Sequence, residues 1–198
     1  MDTNVFNFLR SFLSECGRIV KFGAGLQNPV RKELTEKLQG ICSRCESSYS
    51  FVLSGLRPVK EAYGDQPRLA HALRAFAANQ EIRDRFKPER LCGEADYILD
   101  KLSNNLEPLK YAIPLGKIQS LKRGMTEFQD YDSAMRNSFD EFARSLDGVA
   151  SDLANPQLKG DGLAERMLYI RSVVEGFEDD LSKTVRDVRD VKNKYLRE

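Results

Sequence analysis

Tryptophan is absent from the 198 residues, histidine occurs once, at His71, and no uncharged apolar run is long enough to span a bilayer. Each absence excludes something. A single imidazole rules out sites that need two or more, including the paired Glu-x-x-His motif of a di-iron carboxylate bundle, because the residue three before His71 is Arg68. Any Ser or Cys nucleophile has one possible histidine base. Without a long apolar run there is no candidate spanning helix, and Asp2, Arg10, Glu15, Arg18 and Lys21 break up the first 22 residues in a way that a signal peptide does not. Period-2 runs rich in Val, Ile and Thr are missing too, so little or no strand is expected. With 31 basic and 30 acidic residues the net charge is +1, which gives no global field toward nucleic acid or an anionic membrane.

What the sequence does contain is helical periodicity. Val5, Phe6, Leu9, Phe12, Leu13, Cys16, Ile19 and Val20 share one face of a predicted helix that ends at Gly23-Ala24-Gly25. Asn28-Pro29 reads as a helix start. The next stripe runs Leu34, Leu38, Ile41, Cys45, Val52 and Leu56, up to a kink or stop at Pro58. Gly64-Asp65-Gln66-Pro67 opens a third helix with Leu69, Leu73, Phe76 and Ile82. Pro88 opens a fourth with Leu91, Ala95, Leu99, Leu102, Leu106, Leu109 and Ile113, kinked at Pro108 and closed by Pro114.

From Leu115 the pattern becomes a heptad. Ile118, Met125, Asp132, Phe139, Leu146 and Leu153 recur every seven residues, with Leu121, Phe128, Met135, Phe142 and Val149 offset by three. After Asn155-Pro156 and Gly160-Asp161-Gly162, the final helix repeats the spacing through Leu163, Met167, Ile170, Val174, Phe177, Leu181, Thr184, Val188, Val191 and Tyr195. A short loop implies antiparallel neighbours. Setting Leu153 against Leu163 places Leu146 on Ile170, Phe139 on Phe177 and Phe142 on Val174, and brings the two polar members, Asp132 and Thr184, into one layer. That pairing either fixes the register through a hydrogen bond inside the seam or leaves Asp132 in water at its edge.

The expected fold is therefore all-α, a single domain over 1–198 built as an antiparallel bundle of about six helices. It comprises an amphipathic N-terminal helix over 1–22, central helices over 29–113, and a long coiled-coil-like helix pair over 115–198. Connections are predicted at 23–28, 64–66, 87–88, 113–114 and 154–162.

Chemistry is harder to find. Cys42-Ser43-Arg44-Cys45 is a C-x-x-C, but it lies deep inside a predicted helix, away from the helix start where a redox thiol is activated. Cys16, Cys92 and His71 offer no second paired spacing for zinc. Reduced thiols filling a core are the simpler reading. Glu94 with Asp96, and Glu178-Asp179-Asp180, resemble solvated helix faces more than metal sites, and Gly23-Ala24-Gly25 follows a helix, unlike a phosphate-binding loop. No catalytic, cofactor or metal residues are assigned, and an enzyme is not expected.

Two surfaces stand out. Matching the heptad pair brings Lys117, Lys122 and Arg123 toward Lys192, Lys194 and Arg197, with Lys110 nearby, as a basic tip for nucleic acid, phosphate or anionic lipid; ordinary solvation and salt bridging is the bland alternative. The face formed by Phe6, Leu9, Phe12, Leu13, Ile19 and Val20 fits a membrane surface, a partner or the core. The leading expectation is a cytoplasmic, non-enzymatic interaction or scaffold module that binds a protein partner or forms a homo-oligomer. A membrane-active bundle ranks second and nucleic-acid binding at the tip third.

Overall fold

The computed structural model describes residues 3–23, 26–85, 91–106, 112–127, 131–155 and 157–197, with side chains described at all of these except 3–5, 91–92, 112–115, 124–127, 131–136 and 138. Among the described residues the chain is helical without strand. The elements are α1 (Thr3–Phe22), α2 (Asn28–Gly55), α3 (Arg57–Glu61), α4 (Gln66–Ala78), α5 (Gln80–Arg85), α6 (Leu91–Asn105), α7 (Ala112–Glu127), α8 (Tyr131–Leu153) and α9 (Gly160–Tyr195).

The chain falls into two compact units, each assembled from stretches distant in sequence. Unit I takes residues 48–87 and 135–183, and unit II takes 3–47, 88–134 and 184–198. Three of the boundaries lie inside α2, α8 and α9, where composition does not change.

The breaks have local causes. Leu56 separates α2 from α3, and Pro58 sits in the first turn of α3, where its missing N–H costs nothing. Gly64, at φ +99°, makes the turn into α4, which suits a residue without Cβ. Asp65 then caps that helix by accepting from the Arg68 backbone N–H at 3.0 Å, with Pro67 just inside. Asn79 divides the predicted third helix in two, because its side-chain oxygen accepts from the Ile82 N–H at 3.1 Å and starts α5. The break expected at 113–114 is not one: α7 begins at Ala112 and carries Pro114 in its first turn, where a helix tolerates proline. Likewise α9 begins at Gly160, three residues before the expected Leu163. The connection expected at 87–88 lies outside the described residues.

Unit I is organised around aromatic rings. Phe76 of α4 lies 6.3 Å from both Phe139 and Phe142 of α8, and Phe142 stacks on Phe177 of α9 with ring centres 4.0 Å apart. Leu69, Leu73, Ile82, Leu146, Leu153, Ile170, Val174 and Leu181 are among the other side chains buried there. Each of these side chains contributes roughly 1.5–3 kcal/mol by leaving water. Arg166 of α9 pairs with Asp152 of α8, and Gln66 Nε2 donates to the Leu153 carbonyl at 2.6 Å.

Unit II buries α1 from Phe6 to Val20, with Leu34, Leu38 and Ile41 of α2, Ile98, Leu99 and Leu102 of α6, Ile118 of α7, and Val188 and Val191 of α9. α7 packs against both α6 and α1. Gly17 lets α9 come close to α1, since a Cβ there would lie 3.2 Å from Tyr195 Cβ and 3.3 Å from Val191 Cγ1. The helix ends of this unit cap one another. Arg31 of α2 donates to the carbonyls of Val20 (2.7 Å), Lys21 (2.6 Å) and Gly23 (2.7 Å), while Lys21 Nζ donates to the Lys194 carbonyl at 2.7 Å and Gln39 Nε2 to that of Leu196. Cations placed at these C-terminal ends also oppose the negative pole of each helix.

Candidate functional site

The face singled out on α1 is interior. Phe6, Leu9, Phe12, Leu13, Ile19 and Val20 are all buried within unit II, leaving Phe22, 65% exposed at the helix end, as the apolar residue facing water. The same six residues that suit a membrane surface are consumed by the fold.

Three of the basic set, Lys117, Lys122 and Lys192, are paired with carboxylates. Lys117 donates to Glu15 at 2.9 Å and Lys122 to Asp100 at 2.6 Å, which ties α7 to α1 and α6. Lys192 donates to the Ser43 hydroxyl at 3.1 Å and lies 3.7 Å from Glu46 on α2, and Lys194 sits over the Tyr195 ring at 5.1 Å. Arg123 and Arg197 are exposed, and Lys110 lies outside the described residues. The carboxylates answer in their ionisation. Glu15 is penalised by burial, yet Lys117 and Arg18 outweigh that and hold its pKa below the usual range. The Arg189 hydrogen bond, at 2.7 Å, lowers that of Glu46. The Tyr97 hydroxyl donates to Glu33 and lowers it in the same way.

Other motifs resolve into packing or bracing. Cys42 and Cys45 are fully buried in the middle of α2, and burial pushes both thiols up to about 12; Cys16 is buried and raised as well. Such thiols are poor nucleophiles. The Cys92 side chain lies outside the described residues. Glu94 pairs with Arg44, and Glu178 accepts from Lys60 at 2.7 and 2.8 Å. His71 is exposed on α4. Among the described residues no cluster of three or more His, Cys, Asp or Glu is placed to hold a metal ion, and no helix is long and apolar enough to cross a membrane.

Thr184 is fully buried, the one polar side chain in the core among the described residues. Its proposed mate, Asp132, has its side chain outside them. In unit I the ring stacked on Phe142 is Phe177, one turn from the Val174 partner that the seam assigns.

Three grooves stand out among the described residues. One in unit I, of about 500 Å³, is lined by Asp152, Leu158, Glu165, Arg166 and Tyr169. Beside it α9 exposes Leu168 (68%) and Tyr169 (50%). In unit II a groove of about 410 Å³ lies between Arg10, Glu15, Asp187 and Lys194, and one of about 770 Å³ runs along the first turns of α2 to the end of α9. Sequence reasoning passed over that last groove, although its signal was present: Asn28, Arg31, Lys32, Thr35, Glu36 and Gln39 form a polar stripe at helical spacing, distinct from the Leu34, Leu38 and Ile41 stripe.

Comparison of the chain with protein-family models, with curated proteins and with solved structures finds no match.

Proposed function

We propose that this chain is a non-enzymatic, cytoplasmic interaction or scaffold module, and that it engages a protein partner or a second copy of itself through the exposed face of α9 around Leu168 and Tyr169. The observation that carries this reading is the pair itself. Single exposed apolar residues are ordinary, but a leucine and a tyrosine side by side on a helix, next to a groove with charged walls, form an apolar anchor with a polar rim. On this reading α8 and α9 act as an antiparallel, coiled-coil-like pair that presents the face on a rigid element. The Phe142–Phe177 stack and the Arg166–Asp152 ion pair support that arrangement within unit I. Among the described residues, the apolar stripes elsewhere are occupied by the cores.

A photo-crosslinking amino acid in place of Leu168 tests the reading in cells. The expected result is one discrete adduct, either with a second copy or with one partner, that disappears when Tyr169→Glu is added. Labelling without a discrete adduct, or an adduct indifferent to Tyr169→Glu, refutes it.

A further inference from the structure

The groove of about 770 Å³ in unit II collects positive charge that the fold only partly uses. Among the described residues, Lys21, Arg31, Lys32 and Arg197 line it against a single carboxylate, Glu36. Its size falls in the range of about 300–1,000 Å³ typical of small-molecule sites. Two of the cations are held in place before any ligand arrives. Arg31 is fixed by three backbone carbonyls and Lys21 by that of Lys194, so their side chains lose little freedom on binding. An ammonium has three donors and a guanidinium five, so Lys21 keeps two N–H groups and Arg31 keeps its Nε–H and one on Nη2. The carbonyl ends of α1 and α9 offset part of the charge of these two residues. Most of the net attraction therefore comes from Lys32 and Arg197, both exposed and without an ion pair among the described residues. Asn28 and Thr35 add neutral polar groups along the same stripe.

We propose that this groove is an anion site for a ligand carrying more than one phosphate charge, with Lys32 and Arg197 as the principal contacts and Lys21 and Arg31 as the pre-ordered floor. A single carboxylate would leave three cations unanswered, whereas a polyphosphate offers several oxygens to cations arriving from two helices and the segment after α9. The site is independent of the α9 face in unit I.

Calorimetric titration with sodium triphosphate, and co-sedimentation with phosphatidylcholine vesicles with and without a phosphatidylinositol bisphosphate, test the proposal on the full chain. Saturable binding should weaken by at least about tenfold in Lys32→Glu/Arg197→Glu, the scale expected when charge-assisted contacts are lost. It should persist in Arg68→Glu/Arg74→Glu, which makes the same change of net charge on α4. All four residues are exposed, so both variants should keep the parental melting curve. Binding to triphosphate alone identifies a free phosphate ligand, and binding to the doped vesicles as well identifies a lipid headgroup. Absence of saturable binding in both assays, or equal weakening by the two double variants, overturns the site.

Discussion

A buried thiol is costly to ionise, and Cys42 and Cys45, both driven to about 12 by burial, lie three residues apart on one helix without any of the exposure that C-x-x-C chemistry needs. A Cys92→Ser variant should therefore show no thiol reactive toward an aromatic disulfide reagent under native conditions at mildly alkaline pH, and three once the chain is unfolded. Rapid native labelling would overturn the packing role. The carboxylates give the opposite signature. Glu46 is held below its ordinary pKa by the Arg189 hydrogen bond and by the charges of Arg189 and Lys192, so its contribution is present above the unfolded carboxylate range and is lost as pH falls through the depressed folded value. Because the pair is largely exposed, its worth is a few tenths of a kcal/mol, and Glu15 and Glu33 act in the same direction. Melting temperature should fall on acidification below the usual carboxylate range. Glu46→Gln should shrink that fall while lowering stability slightly at neutral pH; an identical acid limb in the variant would remove Glu46 from the account.

At the scale of elements, the legible features were those that one period states. The α1 stripe, read from Phe6 to Val20, is buried residue for residue, because seven apolar side chains on one face cannot be left in water. The break at Asn79 was not legible: no glycine or proline marks it, and a cap formed by one side-chain oxygen competes with a helix that the apolar spacing would have continued. Pro114 misled in the other direction, since a proline is as much at home in a first turn as after a last one. If α1 is core, the 198-residue chain should stay out of the floating fraction with anionic vesicles that carry no phosphoinositide. A variant lacking residues 1–22 should lose more helicity than those residues supply, because Ile118, Val188 and Val191 lose their cover. Flotation on such vesicles that survives Lys32→Glu/Arg197→Glu would reinstate a membrane role for the Phe6–Val20 face. The buried Thr184 invites a second test at this scale, a double-mutant cycle of Asp132→Leu and Thr184→Val. A hydrogen bond across the seam predicts a coupling of about 0.5–1.5 kcal/mol between them, and additivity would place Asp132 outside the seam.

For the whole molecule, the sequence announced helices but not the two units, because the boundaries fall inside α2, α8 and α9 where the heptad and helical stripes continue unbroken. It also announced a basic tip, three of whose lysines pair with Glu15, Asp100 and Glu46, since periodicity fixes which face a lysine is on but not which carboxylate another helix will bring to it. Among the described residues, little exposed apolar surface remains for association. The most exposed large apolar residues described are Phe22, Leu168 and Tyr169, far short of the roughly 800 Å² per partner of a standard stable interface. With a net charge of +1 there is little electrostatic repulsion between copies to oppose a weak contact. Sedimentation velocity should accordingly find the monomer at low concentration. If the α9 face is used by a second copy, a reversible shift toward dimer should grow with concentration and vanish in Leu168→Glu, whose melting curve should match the parent because the side chain is two-thirds exposed. A dimer that survives Leu168→Glu would move the interface elsewhere on the chain. A monomer at every concentration would assign the face to a different protein, for which the crosslinked adduct at position 168 supplies the identity.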